Sequence, residues 1–192
     1  MFIQVLRGQA NDAASVRRML DRWRQYLSSG ARGWLGTTAG VTEDGRFIAS
    51  FRFENQDLAQ INSDRPEQTE WWNEFSKFLD TPRFWDCTEV DEFGNGGSDD
   101  AGFVQVIMCR VVHPQEFRET AKSMAASART DVIGSVAAWK GSHFTEFVYF
   151  TSEEEARAGE RGEHQQAALE KIWPRTEDIE YFDLKEPWFA SP

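Results

Sequence analysis

The sequence predicts an α+β chain built from two consecutive βαββαβ units, and three observations carry that reading. The first is an ordered internal repeat, whose period has to be settled before any fold is argued. Phe2-Ile3-Gln4-Val5 returns as Phe103-Val104-Gln105-Val106, 101 residues later. Leu35-Gly36-Thr37 returns as Ile133-Gly134-Ser135 at 98, and Phe53 as Phe150 at 97. Phe84-Trp85-Asp86 with Glu89 returns as Tyr181-Phe182-Asp183 with Glu186, again at 97. The second observation is the run from Gly94 to Gly102, GNGGSDDAG, whose residues favour turns and flexible chain. It sets the expected division: a first unit at 1–93, a linker at 94–102 and a second unit at 103–192. The third is that hydrophobic periodicity switches between 2 and 3.6 in the same order on both sides of that linker.

The elements follow in turn. Residues 2–9 read as a strand rich in Ile, Val and Leu. Asn11 or Asp12 caps a helix whose apolar face is Val16, Met19, Leu20, Trp23 and Leu27, and Gly30 ends it. Strands at 34–42 and 46–54 turn through Glu43-Asp44-Gly45, because Asp-Gly supplies the positive φ of a tight hairpin. Trp71, Trp72, Phe75, Phe78 and Leu79 mark a second helix, and 83–91 a closing strand. The second unit repeats this plan. A strand at 103–112 precedes Pro114, whose missing N–H suits the first turn of a helix lined by Phe117, Ala121, Met124, Ala125 and Ala128. Strands at 132–140 and 143–150 turn through Gly141-Ser142. Gly159 and Gly162 weaken the start of a last helix that ends near Trp173-Pro174, and a strand at 179–185 follows.

Composition narrows the function classes. In 192 residues, 40% are hydrophobic, 14% aromatic and 28% charged, the profile of a globular chain. The net charge of −11 argues against nucleic acid as a partner. No apolar run reaches the roughly 20 residues of a membrane span. The start, MFIQVLRG, reads as a strand with no secretory signal, and Cys87 and Cys109 lack C-x-x-C spacing. Two buried, reduced thiols and a cytoplasmic protein are expected.

A βαββαβ unit folds into a four-stranded antiparallel sheet with both helices on one face, the ferredoxin-like arrangement. Its bare face needs a cover, and two units in one chain can cover each other sheet to sheet. In this the chain resembles the dimeric α+β barrel superfamily, which includes antibiotic-biosynthesis-monooxygenase-like proteins, stress-responsive barrel proteins, haem-degrading monooxygenases and fused two-unit haem proteins. The resemblance implies a single-chain α+β barrel and a small-molecule ligand. It points to a cofactor-independent monooxygenase-like enzyme acting on an aromatic or polyketide-like compound. It also leaves a haem-binding fused barrel and a non-enzymatic closed barrel as alternatives.

Strand alternation nominates the residues between the sheets. Phe47, Ala49, Phe51 and Phe53 suit the helix layer, leaving Ile48, Ser50 and Arg52 inward, with Thr145, Phe147 and Tyr149 as counterparts. Ile3 and Val5 also suit the helices, leaving Phe2, Gln4 and Leu6 inward, with Phe103, Gln105 and Ile107 as counterparts. The ligand-binding candidates are therefore Gln4, Ser50, Arg52, Gln105, Phe147 and Tyr149. A buried Arg52 needs an acidic partner or a carboxylate ligand, since an unpaired buried charge is costly.

The three histidines, His113, His143 and His164, show no metal-ligand spacing, and no metal site is expected. His164 lies in the second helix of the second unit, where some haem-binding relatives carry an axial histidine. The Asn, Trp and His set of haem degraders is incomplete in both copies. Glu146, on the phase facing the helices, is a candidate buried base, or else an ion-pair partner of Lys122, Arg129 or Lys140. Asp86 and Asp183 hold equivalent places, which favours a turn or cap. No G-x-x-x-x-G-K-[ST], G-x-G-x-x-G or G-x-S-x-G is present. Since a second copy in the chain supplies the cover, a monomer is expected, or a homodimer through outer surfaces.

Overall fold

The computed structural model describes residues 1–125, 129–161 and 173–192. It resolves into two compact units, one formed by 1–89 with 186–192 and the other by 90–185. Strands β1 (Phe2–Ala10), β2 (Trp34–Val41), β3 (Arg46–Phe53) and β4 (Leu79–Cys87) form the body of the first sheet, with helices α1 (Ala13–Tyr26), α2 (Gln56–Ser63) and α3 (Pro66–Phe75). The chain passes to the second unit at the start of β5 (Glu89–Gly94), which belongs to the second sheet with β6 (Phe103–Val111), β7 (Val132–Lys140), β8 (His143–Phe150) and β9 (Thr176–Leu184). Helices α4 (Pro114–Ala125) and α5 (Glu153–Glu160) lie in the second unit, and β10 (Trp188–Ala190) returns to the first sheet.

The sheet orders are β10-β2-β3-β1-β4 and β5-β7-β8-β6-β9, all antiparallel in the pairings that define them. The four-strand bodies therefore correspond strand for strand. The expected division at 94–102 shifts, because each sheet takes a fifth strand from beyond its own repeat. Val90 begins the second unit, and Glu186 returns the chain to the first. Short edge strands of three to six residues carry too little periodicity to be read from sequence. Trp188 anchors β10 through its indole N–H, which donates to Asp21 Oδ1 at 2.8 Å. Asp91 anchors β5: it accepts from Arg118 Nε at 2.8 Å and from Trp139 Nε1 at 3.1 Å, and lies 3.3 Å from Lys122 Nζ. Burial raises the Asp91 carboxyl, but the two cations prevail and hold it below its ordinary value.

Local chemistry explains the elements. Asp12 caps α1 by accepting from the Ser15 N–H at 3.0 Å, one of the four donors a helix start leaves unpaired. Asn55 caps α2 and Ser152 caps α5 in the same way, while Pro66 opens α3. The β2–β3 hairpin turns at Gly45 with φ +82. Helix α1 buries Val16, Met19, Leu20 and Trp23 against Phe2, Leu6, Ala49 and Phe53, with Phe47, Trp71 and Phe75 completing the core of the first unit. Among the described residues, no helix is long and apolar enough to cross a membrane. Cys87 and Cys109 are buried and not joined in a disulfide.

Candidate functional site

The register of β1 against β3 decides which side chains share a face. Phe2 lies opposite Phe53, Gln4 opposite Phe51 and Leu6 opposite Ala49. Those partners pack with the helices, so Phe2, Gln4 and Leu6 face the helices too. This inverts the phase expected for β1. Ile3 and Val5, opposite Arg52 and Ser50, lie on the other face. The same inversion holds in β6, where Gln105 lies opposite Val148, and Phe103 packs with Phe150 and Ala156 on the helix side. The cause is physical. Both strands are buried on both faces, so they read as nearly continuous apolar runs without the alternation that reveals phase. For β3 and β8 the expectation holds: Ser50 and Arg52, and likewise Phe147 and Tyr149, stand on the face away from the helices. Gln4 and Gln105 thus part company with the other four candidates.

On the helix side of the first sheet lies a cavity of about 50 Å³. Its floor is Gln4, Leu6, Phe51 and Phe84, and its roof comes from Trp23 on α1, Asn62 on α2, and Gln68, Trp71 and Trp72 on α3. The tryptophans are fixed by their N–H groups. Trp23 Nε1 donates to Gln68 Oε1 at 2.7 Å, Trp71 Nε1 to the Met19 carbonyl at 2.8 Å and Trp34 Nε1 to Thr37 Oγ1 at 3.0 Å. Asn62 is held by Arg65, whose Nη1 donates to its Oδ1 at 2.9 Å and to the Leu27 carbonyl at 3.1 Å. Trp72 tilts against Phe84, centroids 5.0 Å apart, and Phe84 is 42% exposed at the rim.

One charged group is hydrogen-bonded to a residue of this floor without lining the cavity itself. Asp86 lies beside Gln4 across the β1–β4 ladder, and Gln4 Nε2 donates to its Oδ1 at 2.8 Å. Among the described residues, no cation pairs with Asp86. The expected turn or cap role is corrected: Asp86 sits within a strand, its carboxylate on the helix side. Asp183 occupies the matching place in the second sheet, where Gln105 Nε2 donates to its Oδ1 at 3.1 Å. There the carboxylate is also tied to Arg157 Nη2 at 2.5 Å, and Arg157 reaches Glu160 Oε1 at 3.0 Å while stacking over Phe103.

Elsewhere on the second unit's helix side an apolar cluster of Phe117, Ala137, Trp139 and Phe144 lies alongside one further carboxylate. Glu146 accepts from the Ser135 hydroxyl at 2.7 Å rather than pairing with Lys122, Arg129 or Lys140; Arg129 is engaged by Asp131. Burial pushes the Glu146 carboxyl up, and the Ser135 hydroxyl pulls it back in part. Burial, reinforced by Glu146, pushes the Cys109 thiol up to about 12. His113 and His143 are exposed, and His164 lies outside the described residues. No group of residues able to hold a metal occurs among the described residues. The walls of the first unit's cavity carry no histidine, cysteine or tyrosine to ligate a haem iron, so the residues there do not fit a haem. Trp23, Asn62 and Gln68 were not singled out as site residues from sequence. Gln68 had a readable signal, since it falls three residues before Trp71 on one helix face.

No family model matches the chain, and no curated protein matches it. Solved structures do. A candidate monooxygenase from Lactobacillus acidophilus NCFM aligns with a TM-score of 0.77 at 11% identity, covering 99% of this chain and 95% of that one. A second candidate monooxygenase, from Fusobacterium nucleatum subsp. nucleatum, gives 0.80 at 8% identity, covering 99% and 94%. An anthrone oxidase-like protein gives 0.68 at 10% identity, covering 100% and 94%. Matches over whole chains on both sides establish that the chain shares the α+β fold of these proteins. At these identities the likeness is one of fold.

Proposed function

We propose that the helix-covered cavity of the first unit binds a small, planar, electron-rich aromatic compound. We propose further that the chain oxidises it with dioxygen without a cofactor, in the manner suggested by the name of its anthrone oxidase-like neighbour. The observation that carries this reading is the Gln4–Asp86 pair: Gln4 lines an aromatic-walled cavity and is hydrogen-bonded to Asp86, a carboxylate that has no cation among the described residues. The tryptophans offer ring faces for stacking, since their N–H groups are already spent. Gln4 Oε1 accepts from a ligand hydroxyl, and Asp86 takes a proton from an acidic ring C–H or O–H. The resulting carbanion or phenolate gives its electrons to dioxygen. For a ring methylene the balance is CH2 + O2 → C=O + H2O, so the substrate itself supplies all the electrons. A drug-sized ligand needs roughly 300–1,000 Å³. The cavity must therefore widen, and the exposed Phe84 with Trp72 is the wall that yields.

The test uses the full chain with anthrone as probe, following tryptophan quenching and dioxygen uptake. Saturable quenching and turnover are expected, with Asp86→Asn retaining the quenching and losing about 10²–10⁴-fold in rate, the range for a general base. Quenching that persists in a variant with Phe51→Arg, which fills the floor, would place the ligand elsewhere. An Asp86→Asn variant that turns over like the original would remove the base from this assignment.

A further inference from the structure

The roof of the first unit's cavity carries two carboxamides whose orientation is set by their own partners. Asn62 is 7% exposed and lines the cavity from the last turn of α2. Its Oδ1 accepts from Arg65 Nη1 at 2.9 Å, which leaves Nδ2 over. Gln68, in the first turn of α3, is arranged alike: its Oε1 accepts from Trp23 Nε1 at 2.7 Å, which leaves Nε2 over. Among the described residues, neither amide nitrogen has a hydrogen-bond partner. Turning either amide end for end would set its NH2 against the N–H it now accepts from, so both are locked with their donors unspent.

Arg65 is itself fixed. It stands between α2 and α3 as the N-cap of α3, and its Nη1 and Nη2 also donate to the Leu27 carbonyl, at the end of α1, at 3.1 and 3.2 Å. Its Nε donates to Glu67 Oε1 at 2.9 Å. The backbone makes room for it, since a Cβ at Gly30 would come within 2.4 Å of Arg65 Nη2. Three helices thus meet on one guanidinium, whose planar fork fixes donor directions as an ammonium cannot. The consequence for the cavity is a polarity. The roof holds out N–H groups that are costly to leave unmet in an apolar setting, whereas Gln4, its Nε2 spent on Asp86, holds out an acceptor from the floor.

We propose that Asn62, joined by Gln68, is the specificity-determining donor of this cavity, and that it selects aromatic ligands bearing an acceptor oxygen without a hydrogen: a ketone or aldehyde carbonyl turned toward α2 and α3. Arg65 is a positioning residue that acts through Asn62. The assignment rests on the reading that the cavity takes an aromatic compound, and it does not depend on the oxidation proposed there.

Titration calorimetry of the full chain tests it with acetophenone and 2-phenylpropene, two probes of one shape that differ by =O against =CH2. The quantity read is the ratio of their Kd values. Asn62→Leu, which removes the donor at similar volume, should shift that ratio against the ketone by about three- to tenfold, the range of one net hydrogen bond. Asn62→Asp keeps an acceptor for Arg65 but replaces the NH2 with a second oxygen, and should shift the ratio further. Arg65→Met releases the amide to rotate and should move the ratio in the same direction, while Arg65→Lys, which keeps a donor for Oδ1, should restore part of it. A merely structural Arg65 would weaken both probes alike and leave the ratio unmoved, which overturns its positioning role. The Asn62 variants decide the donor even where Arg65→Met does not fold: both probes bound with a ratio that neither variant shifts overturns this proposal alone. If neither probe binds the unaltered chain, the aromatic reading of the cavity falls and this proposal falls with it.

Discussion

The helix-covered faces of the two sheets carry the same Gln–Asp pair in opposite surroundings. In the first unit Gln4 and Asp86 border rings: Trp71 stacks on Phe75 with centroids 4.6 Å apart, and Phe47 meets Phe75 edge-on at 5.7 Å. In the second unit Gln105 and Asp183 border ions, with Arg157 held between Asp183 and Glu160. A carboxylate clamped by a guanidinium has its hydrogen-bonding capacity committed, whereas one beside an amide in an aromatic wall keeps lone pairs for a ligand. The two faces thus teach that a repeated residue pair does not imply a repeated role: the neighbours decide whether it serves structure or chemistry.

The comparison breaks hardest at the rings. Phe75→Ala should cost about 3–5 kcal/mol, because it removes a fully buried ring and leaves a cavity beside two tryptophans. Hydrogen exchange should show the loss concentrated in β1, β3 and α3. If protection falls equally in β6 and β8, the rings do not belong to the first unit alone. Asp91→Ala should cost about 1–3 kcal/mol by removing the acceptor of the Trp139 N–H and the carboxylate that pairs with Arg118 and Lys122. Because Asp91 is held below its ordinary value of 3.8, its contribution is present above that pH and fades as pH falls through its folded value. Urea titrations at pH 7 and pH 3 should therefore differ more for the unaltered chain than for the variant.

A paired experiment sharpens the contrast. Asp183→Asn weakens the Arg157 clamp and should cost about 1–2 kcal/mol, less in high salt because the clamp is partly exposed. Asp86→Asn keeps the Gln4 bond through the amide oxygen and should stay within about 0.5 kcal/mol of the unaltered chain. Equal costs would mean that Asp86 has an ionic partner after all. The smallest effect belongs to Glu146→Gln. Burial favours the neutral carboxyl, so its folded value lies above the ordinary 4.5, and charging it at higher pH costs stability. The variant should melt about a degree or two higher at pH 8 and lose that advantage below pH 4.5, as read by calorimetry across pH.

Much of the architecture was legible because each element announces itself locally. Asp12 before an apolar 3.6 period, Pro114 before another, and Asp44-Gly45 between two runs of period 2 each have one physical meaning. Phase in β1 and β6 was not legible, since FIQVL and FVQVI are apolar on both faces. Only the partner strand, through pairs such as Gln4 with Phe51, fixes which way they point. The site suffered accordingly. Gln4 and Asp86 were both visible as repeated residues, but their meeting across 82 positions is a fact of register. Arg52 was nominated correctly as facing away from the helices because β3 does alternate around it.

The return of β10 to the first sheet has a consequence for how the chain is made. Synthesis runs from the N-terminal side, so β1 to β4 and their helices emerge while residues 188–190 have yet to be added. Through that interval β2 is an open edge, with Thr37, Thr38 and Ala39 offering backbone groups to any passing strand. A later-made segment closes the earlier-made sheet, so a ribosome that stops before residue 188 releases a chain whose older sheet is the unfinished one.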